Sequence, residues 1–212
     1  MTNLHPSFYP ALQDTMERLL EEAHQISADR QDLLDHLANH LAGELQKLQS
    51  LELIFICTHN SRRSHLSQIW AATAAAYFGV VGINVFSGGT ESTAFHPNAL
   101  AAVRRAGFEV QSPAGTNPRH LVFYAPDQVP IVCYSKVFSA PENPQYGFTA
   151  VMTCSDAAIN CPVVPGAAYR FALTYEDPKE ADGTPEEVAV YDARTQEIGR
   201  ELLYLFHKLA KV

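Results

Sequence analysis

The strongest structural signal in this sequence is the run LELIFIC at residues 51–57, in which only Glu52 is polar. An apolar run without alternation is typical of a strand that is buried on both faces of a parallel sheet. A helical pattern, SHLSQIWAATAAAYFG, follows it, and a second strand pattern, INVFSGG, comes next. Two more strand patterns, FTAVMTC and YRFALT, precede a helix that begins near Pro185. Strands that alternate with helices predict a doubly wound α/β domain.

Two segments depart from this alternation. Residues 1–50 carry two stripes of leucine and other apolar residues at helical spacing, and the short connection between them predicts an N-terminal αα-hairpin. Residues 109–147 contain two strand patterns across a Pro-Asp-Gln turn, which predicts an inserted β-hairpin at about 119–135. We therefore expect an extension at 1–50 and a main domain at 51–212. The leucine stripes need an apolar partner, either the rest of the chain or a second copy in a homodimer.

Charge and hydropathy limit the partners of the chain. The net charge of −8 gives no basic surface for nucleic acid or an anionic membrane, so an anionic substrate needs a local positive site. No apolar run approaches the ~20 residues that cross a bilayer. The first residues, MTNLHPSFYP, lack the basic and apolar regions of a secretory signal, and we therefore expect a cytoplasmic protein.

The four cysteines, Cys57, Cys133, Cys154 and Cys161, form no paired CxxC units. In a reducing compartment such cysteines are free, catalytic or redox-active rather than members of a disulfide framework. The nine histidines are scattered along the chain, and we expect no metal site.

The loop CTHNSRRS begins where the first strand ends and runs into the following helix. In an α/β sheet, ligands bind beyond the carboxyl ends of the strands, where backbone N–H groups and a helix N-terminus attract an oxyanion. The same positive field stabilises a thiolate at Cys57. Arg63 offers a planar fork for two oxygens, Ser64 can donate a hydrogen bond to the sulfur, and Asn60 tolerates left-handed backbone geometry.

The residues expected to bind the oxyanion are Thr58, His59, Asn60, Ser61, Arg62 and Arg63. The alternative is a buried cysteine beside an unrelated surface arginine. The position of the loop, between a buried strand and a helix, favours the oxyanion site over this alternative.

The order of Cys, five residues, Arg and Ser after the first strand resembles the active-site loop of the low-molecular-weight protein tyrosine phosphatase superfamily, which includes thioredoxin-coupled arsenate reductases. SGGTE, after the second strand, is similar to the corresponding segment of that family. The resemblance covers residues 51–212 with an interruption and implies a three-layer α/β/α fold with a four-stranded parallel sheet. It implies that Cys57 is the nucleophile, Arg63 the oxyanion ligand and Ser64 the partner of the thiolate. Asp177 of the EDP segment would be the general acid.

The segment MTCSDAAINCPVVPG resembles the redox segment of the arsenate reductases, where two cysteines have the same separation. The resemblance implies a relay in which Cys57 attacks arsenate, Cys154 attacks Cys57 with release of arsenite, and Cys161 carries the disulfide outward. Thioredoxin or a similar dithiol would be the partner and the source of electrons, and no bound cofactor is needed. Cys133 fits no step of this relay.

Two other functions stay open on the same residues. A phosphatase that hydrolyses phosphomonoesters through a phosphocysteine needs only Cys57, Arg63 and Asp177. A non-enzymatic redox or oxyanion-responsive interaction protein would use the same thiols with negligible turnover.

Lys179 stands where phosphatases of the family tend to carry tyrosine after Asp-Pro, which favours the reductase. Arg62 stands where many relatives have a cysteine, and it is expected to make the loop more cationic.

Overall fold

The computed structural model describes residues 6–48, 50–161 and 163–211. Its α-helices are α1 (Pro10–Glu21), α2 (Ala28–Lys47), α3 (Arg63–Phe78), α4 (Pro97–Arg105), α5 (Ser155–Asn160) and α6 (Glu187–Leu209). Its strands are β1 (Leu51–Cys57), β2 (Ile83–Gly89), β3 (Glu109–Gln111), β4 (His120–Phe123), β5 (Ile131–Cys133), β6 (Phe148–Met152) and β7 (Ala167–Ala172). Short 3-10 turns lie at Glu22–Gln25 and Pro178–Ala181.

The main sheet has the order β2-β1-β6-β7, and its neighbouring strands are parallel. The predicted four-stranded parallel sheet is therefore confirmed. In the register of the central strands, Cys57 lies opposite Gly89 and Ile56 lies opposite Met152. The carboxyl ends of β1, β2 and β6 thus meet at one edge of the sheet, and the loops that follow them lie side by side.

Strand β1 contributes to two hydrophobic clusters, one on each face of the sheet. Leu53 and Phe55 enter the larger cluster, which they share with α3 and α6. Ile54 and Ile56 enter a smaller cluster that contains Ala157 of α5. Burial on both faces is the physical reason that LELIFIC shows no polar alternation, and it gives the three-layer arrangement.

The two N-terminal helices pack on α6 and belong to its hydrophobic cluster. Their buried side chains follow the predicted stripes, with Leu12, Met16 and Leu19 on α1 and Leu34, Leu37, Ala38, Leu41 and Ala42 on α2. An ion pair of 2.8 Å between Arg30 and Glu201 also joins α2 to α6. The rest of the chain is the partner of both stripes, so in the described residues these stripes give no reason to expect a homodimer.

The insertion forms a second, antiparallel sheet in the order β3-β4-β5. The predicted hairpin corresponds to β4 and β5, and β3 is an additional strand that the sequence pattern does not indicate. The insertion returns to the main sheet at Val137, which forms a parallel bridge with Gly89. No helix in residues 6–48, 50–161 and 163–211 has both the length and the apolar character needed to cross a membrane.

Candidate active site

The loop between Cys57 and Arg63 lies at the carboxyl edge of the main sheet, because Cys57 ends β1 and Arg63 begins α3. Four carbonyl groups of this loop point outward and accept hydrogen bonds of 2.8–3.1 Å. The N–H groups of Thr90, Glu91 and His96 donate to the carbonyls of Cys57, Thr58 and Ser61, respectively. The hydroxyl of Ser135 donates to the carbonyl of His59. Within the described chain, the N–H groups of residues 59–62 have no protein acceptor. A loop with its carbonyls turned outward presents its N–H groups to an anion.

Asn60 braces the loop in a left-handed backbone conformation, with φ of 44°. Its Nδ2 donates to Ser64 Oγ at 2.8 Å, and its Oδ1 accepts from the N–H of Lys136 at 2.9 Å. Ser64 Oγ in turn lies 3.1 Å from Cys57 Sγ. Because Ser64 Oγ already accepts the Asn60 hydrogen bond, its own proton is available to the sulfur, which stabilises a thiolate.

Arg63 connects the loop to the segment that follows β7. Its Nη1 donates to the carbonyl of Tyr175 at 2.9 Å, and its Nη2 lies 2.5 Å from Asp177 Oδ2. The other carboxyl oxygen of Asp177 accepts from the N–H of Lys179 at 3.1 Å and so begins a 3-10 turn. Among the described residues, the buried Nε of Arg63 has no acceptor and remains a donor for a ligand. The expected nucleophile, the arginine and the expected acid thus lie at one site.

The Arg62 side chain binds partners that the sequence pattern does not indicate. Its Nε donates to Tyr191 Oη at 2.6 Å and its Nη2 donates to Asp182 Oδ2 at 2.7 Å. Tyr191 also donates to Asp182 Oδ1 at 2.6 Å. Burial and the hydrogen bond to Asp182 raise the pKa of Tyr191. Burial acts to raise the pKa of Asp182, but the contacts with Tyr191 and Arg62 outweigh burial and lower this pKa. The charge of Arg62 is paired with Asp182, so it does not make the loop more cationic as predicted.

Comparison with known proteins gives a family for the central part of the chain. Residues 52–155 match the low molecular weight phosphotyrosine protein phosphatase family, and this range includes the loop from Cys57 to Arg63. Over these residues the chain is similar to this family. An arsenate reductase of Bacillus licheniformis is 28% identical over 151 residues, which are 71% of this chain and 91% of that protein.

Solved structures of similar proteins cover a comparable share of this chain. A YwlE mutant from Bacillus subtilis covers 76% of this chain and 99% of its own, with 16% sequence identity and a TM-score of 0.49. An arsenate reductase in the phosphate binding state covers 76% of this chain and 99% of its own, with 20% identity and a TM-score of 0.47.

Three of the four cysteines of the chain lie together. Cys57, Cys154 and Cys161 all contact the smaller hydrophobic cluster. Cys154 is fully buried at the N-terminus of α5, and its sulfur lies 3.6 Å from Thr58 Oγ1. Cys161 follows the last turn of α5 and is half-buried. Cys133 lies in the larger cluster instead, where burial raises its pKa to about 12.

Gly89 is a site residue whose role the sequence leaves unexplained. A Cβ atom at Gly89 would lie 2.2 Å from the carbonyl oxygen of Glu91 and 2.7 Å from the backbone N of Asn60. Only glycine therefore allows the end of β2 to pack this closely on the oxyanion loop. The SGGTE segment carries the resemblance to the family, but the contact that requires glycine is visible only in the fold.

Other supporting contacts come from residues that no motif singles out. In the insertion, Ser135 Oγ donates to the carbonyl of His59 at 2.8 Å, and Lys136 supplies the N–H that Asn60 accepts. On β7, Arg170 donates through Nε to the carbonyl of Cys161 at 3.0 Å and through Nη2 to that of Ala158. These contacts join residues that are far apart in the sequence or lack a local signature, so sequence patterns gave no sign of them.

Proposed function

We propose that this protein is an arsenate reductase that passes electrons from a thioredoxin-like dithiol through Cys161 and Cys154 to Cys57. The observation that carries the proposal is the common position of these three cysteines, two of them buried, beside the oxyanion loop. The resemblance of this segment to arsenate reductases, and the arsenate reductase among its relatives, support it. A thiol relay works in a reducing compartment, so the cytoplasm is the location that we expect.

In the first step, the thiolate of Cys57 attacks arsenic(V) of an arsenate held by the loop. Arg63 holds two of the oxygens, so its guanidinium must share or exchange its contact with Asp177 when arsenate binds. A departing oxygen takes a proton from Asp177 and leaves as water, and a sulfur–arsenic bond joins Cys57 to arsenic(V).

In the second step, the thiolate of Cys154 attacks the sulfur of Cys57. A disulfide forms, the sulfur–arsenic bond breaks, and its electron pair stays on arsenic, which leaves as arsenite in the +3 state. If the β1–β6 register continues by one residue, Cys57 lies opposite Thr153 and Cys154 is the next residue. With strands about 5 Å apart and about 3.3 Å per residue, the two Cα atoms lie roughly 6 Å apart, within disulfide reach.

In the third step, Cys161 attacks Cys154, the Cys57 thiolate leaves, and a Cys154–Cys161 disulfide remains for the external dithiol to reduce. Cys154 and Cys161 flank α5, and seven residues of helix span about 10 Å, whereas Cα atoms joined by a disulfide lie at most ~7 Å apart. Helix α5 must therefore unwind during this step. It is a helix of six residues, and so short a helix is marginal by itself.

A phosphatase is the second candidate, and the contact between Arg63 and Asp177 supports it because this reaction needs only these two residues and Cys57. Phosphate matches arsenate in shape and charge, and the same loop can hold it. Cys57 would form a phosphocysteine with loss of the alcohol, and water would then release phosphate. This reaction uses neither Cys154 nor Cys161.

The deciding experiment compares two reactions of the same protein. Arsenate-dependent NADPH oxidation through thioredoxin and its reductase measures the reductase, and hydrolysis of an aryl phosphate measures the phosphatase. The Cys161→Ser variant should form about one arsenite per chain and then stop with a Cys57–Cys154 disulfide, which peptide mass mapping detects. Its aryl phosphate hydrolysis, if the wild type has any, should be unchanged.

Cys133→Ala is the matched control, because Cys133 lies outside the cluster that holds the other three cysteines. This variant should keep multiple turnovers with arsenate. Continued turnover by Cys161→Ser, or no arsenate turnover by the wild type, would exclude the relay. Aryl phosphate hydrolysis by the same preparation would then establish the phosphatase.

A further inference from the structure

A cavity of about 570 Å³ lies between α3 and β2 on one side and the inserted sheet on the other. Its wall is largely apolar, with side chains that include Val85, Phe86, Ile131, Val132 and Tyr124. This volume is in the range of small-molecule sites, which combine apolar walls with a few convergent polar groups. None of the oxyanion-loop residues contributes to its wall.

Two buried amide side chains line the cavity without all the partners that burial normally requires, and a buried lysine lies in the same wall. Gln68 is 5% exposed and Asn143 is 3% exposed, and their amide oxygens have no hydrogen-bond donor in the described part of the chain. Lys136 is 8% exposed, and its ammonium forms no ion pair with any described carboxylate. Buried polar groups are nearly always satisfied, so two exceptions beside an ammonium group at one cavity require an explanation.

The cationic groups around Tyr134 set the charge of the cavity. The Lys136 Nζ lies 4.8 Å from the centroid of the Tyr134 ring, and the guanidinium of Arg119 lies 4.3 Å from it. Arg119 is paired with Glu142 at 3.0 Å, whereas the Lys136 ammonium has no direct ion pair in the described residues. Burial lowers the pKa of Lys136, although the charge of Glu142 opposes this shift.

We propose that this cavity binds a small organic anion with an aromatic or aliphatic body and at least one N–H or O–H group. The anionic group pairs with Lys136, the N–H or O–H group donates to the amide oxygens of Gln68 and Asn143, and the body packs on the apolar wall. The chemistry follows from the side chains that lack partners: one cation and two acceptors. A ligand with this pattern satisfies all three groups at once.

The site also adjoins the active-site loop through the backbone. The N–H of Lys136 donates to Asn60, and its carbonyl accepts from the N–H of Gly89 at 2.9 Å. The ligand would therefore contact the side chain of a residue whose main chain supports the oxyanion loop. The two sites are distinct, because the cavity wall contains neither Cys57 nor Arg63.

The probe for this site is 8-anilinonaphthalene-1-sulfonate, which has an aromatic body, one N–H group and a sulfonate, and which fluoresces in apolar surroundings. The titration contains saturating inorganic phosphate, so that the oxyanion loop is occupied. Folded wild-type protein should bind one probe per chain. Lys136→Met should weaken binding about tenfold or more, because it removes the charged partner and keeps the length of the side chain.

Two further variants make the result specific. Val132→Asp places a negative charge at the exposed rim of the cavity, where substitution spares the core, and it should also weaken the probe about tenfold. Lys47→Met removes an exposed lysine of α2 and should bind the probe as the wild type does. Because partly unfolded proteins also bind this dye, circular dichroism and a cooperative thermal transition must first show that each variant is folded.

Absence of saturable one-to-one binding would overturn the proposal. So would equal affinities for wild type, Lys136→Met and Val132→Asp. Complete displacement of the probe by phosphate would place it in the oxyanion loop instead and would also overturn the proposal. None of these outcomes depends on whether the protein reduces arsenate.

Discussion

Replacing Arg170 should make α5 open more easily. Its guanidinium donates to the carbonyls of Ala158 and Cys161, which belong to the last turn of α5 and to the residue after it. The last carbonyls of a helix lack intrahelical donors, and a cation near them also interacts favourably with the helix dipole. Arg170→Met removes both hydrogen bonds and the charge while it keeps most of the apolar stem.

The size of the effect follows from these two contacts. A hydrogen bond that involves a charged group contributes about 1.5–3 kcal/mol when buried, and Arg170 is only partly buried. We therefore assign about 1–2 kcal/mol to the pair, which corresponds to a roughly 5- to 30-fold larger open population of α5 in Arg170→Met. Arg170→Lys, which keeps the charge but offers a different donor geometry, should lie between the wild type and Arg170→Met.

The assay is alkylation of Cys154, a fully buried thiol that a reagent reaches only when α5 opens. When closing is faster than alkylation, the labelling rate is proportional to the open population, and peptide mass spectrometry follows each cysteine separately. Cys133 reports global unfolding in the same sample, since it is fully buried in the larger hydrophobic cluster. Arg104→Met is the matched control, because the Arg104 side chain donates to Ser112 and contacts no residue of α5.

Two results would refute this reasoning. The first is a Cys154 labelling rate in Arg170→Met that stays within twofold of the wild-type rate. The second is an equal acceleration of Cys133, which would mean that the whole domain is destabilised rather than α5. If the relay operates, the same variant should also form the Cys154–Cys161 disulfide faster.

Four further substitutions test the site and its surroundings. Burial lowers the pKa of His65 to about 3, so below pH 6.5 the unfolded chain binds a proton at this residue and the folded chain does not. The free energy of unfolding of the wild type should therefore fall by about 2 kcal/mol between pH 7.5 and pH 5. Urea titrations should show that His65→Phe lacks this loss. Gly89→Ala should weaken phosphate binding at least about tenfold in calorimetry. Gly43→Ala, where a Cβ meets no atom within 4 Å, should leave binding unchanged and stabilise α2 by about 0.5–1 kcal/mol. Asp177→Asn should slow hydrolysis of phenyl phosphate about 100-fold and that of 4-nitrophenyl phosphate much less, and equal losses would contradict its role as the acid.

The parts of this protein that the sequence predicts are those with a local signature. A strand buried on both faces must be apolar throughout, and a loop that turns from strand to helix around an anion needs polar residues and one left-handed position. LELIFIC and Asn60 meet these two requirements, and the structure has β1 and the loop where the pattern places them. The short strand β3 has no such signature, because it has three residues and is largely exposed.

Sequence patterns do not predict the side-chain contacts that complete the site. Arg62 and Asp182 are 120 residues apart, and Arg63 and Asp177 are 114 apart. Nothing local distinguishes an arginine that turns into the loop from a neighbouring arginine that turns to another carboxylate. The prediction for Arg62 was wrong for this reason, since the choice between the two directions depends on where Asp182 lies in the folded chain.

The insertion supports the oxyanion loop, and its weak sequence pattern does not indicate this role. Two consecutive residues after β5 support the loop, Ser135 through the carbonyl of His59 and Lys136 through the side chain of Asn60. Asn60 in turn holds Ser64 against the sulfur of Cys57, so a chain of hydrogen bonds runs from the insertion to this sulfur. A left-handed φ of 44° is uncommon outside glycine even though asparagine tolerates it, and here the insertion holds the residue in this conformation. The insertion is thus part of the active site's framework, and its removal would release the left-handed turn on which the direction of the loop N–H groups depends.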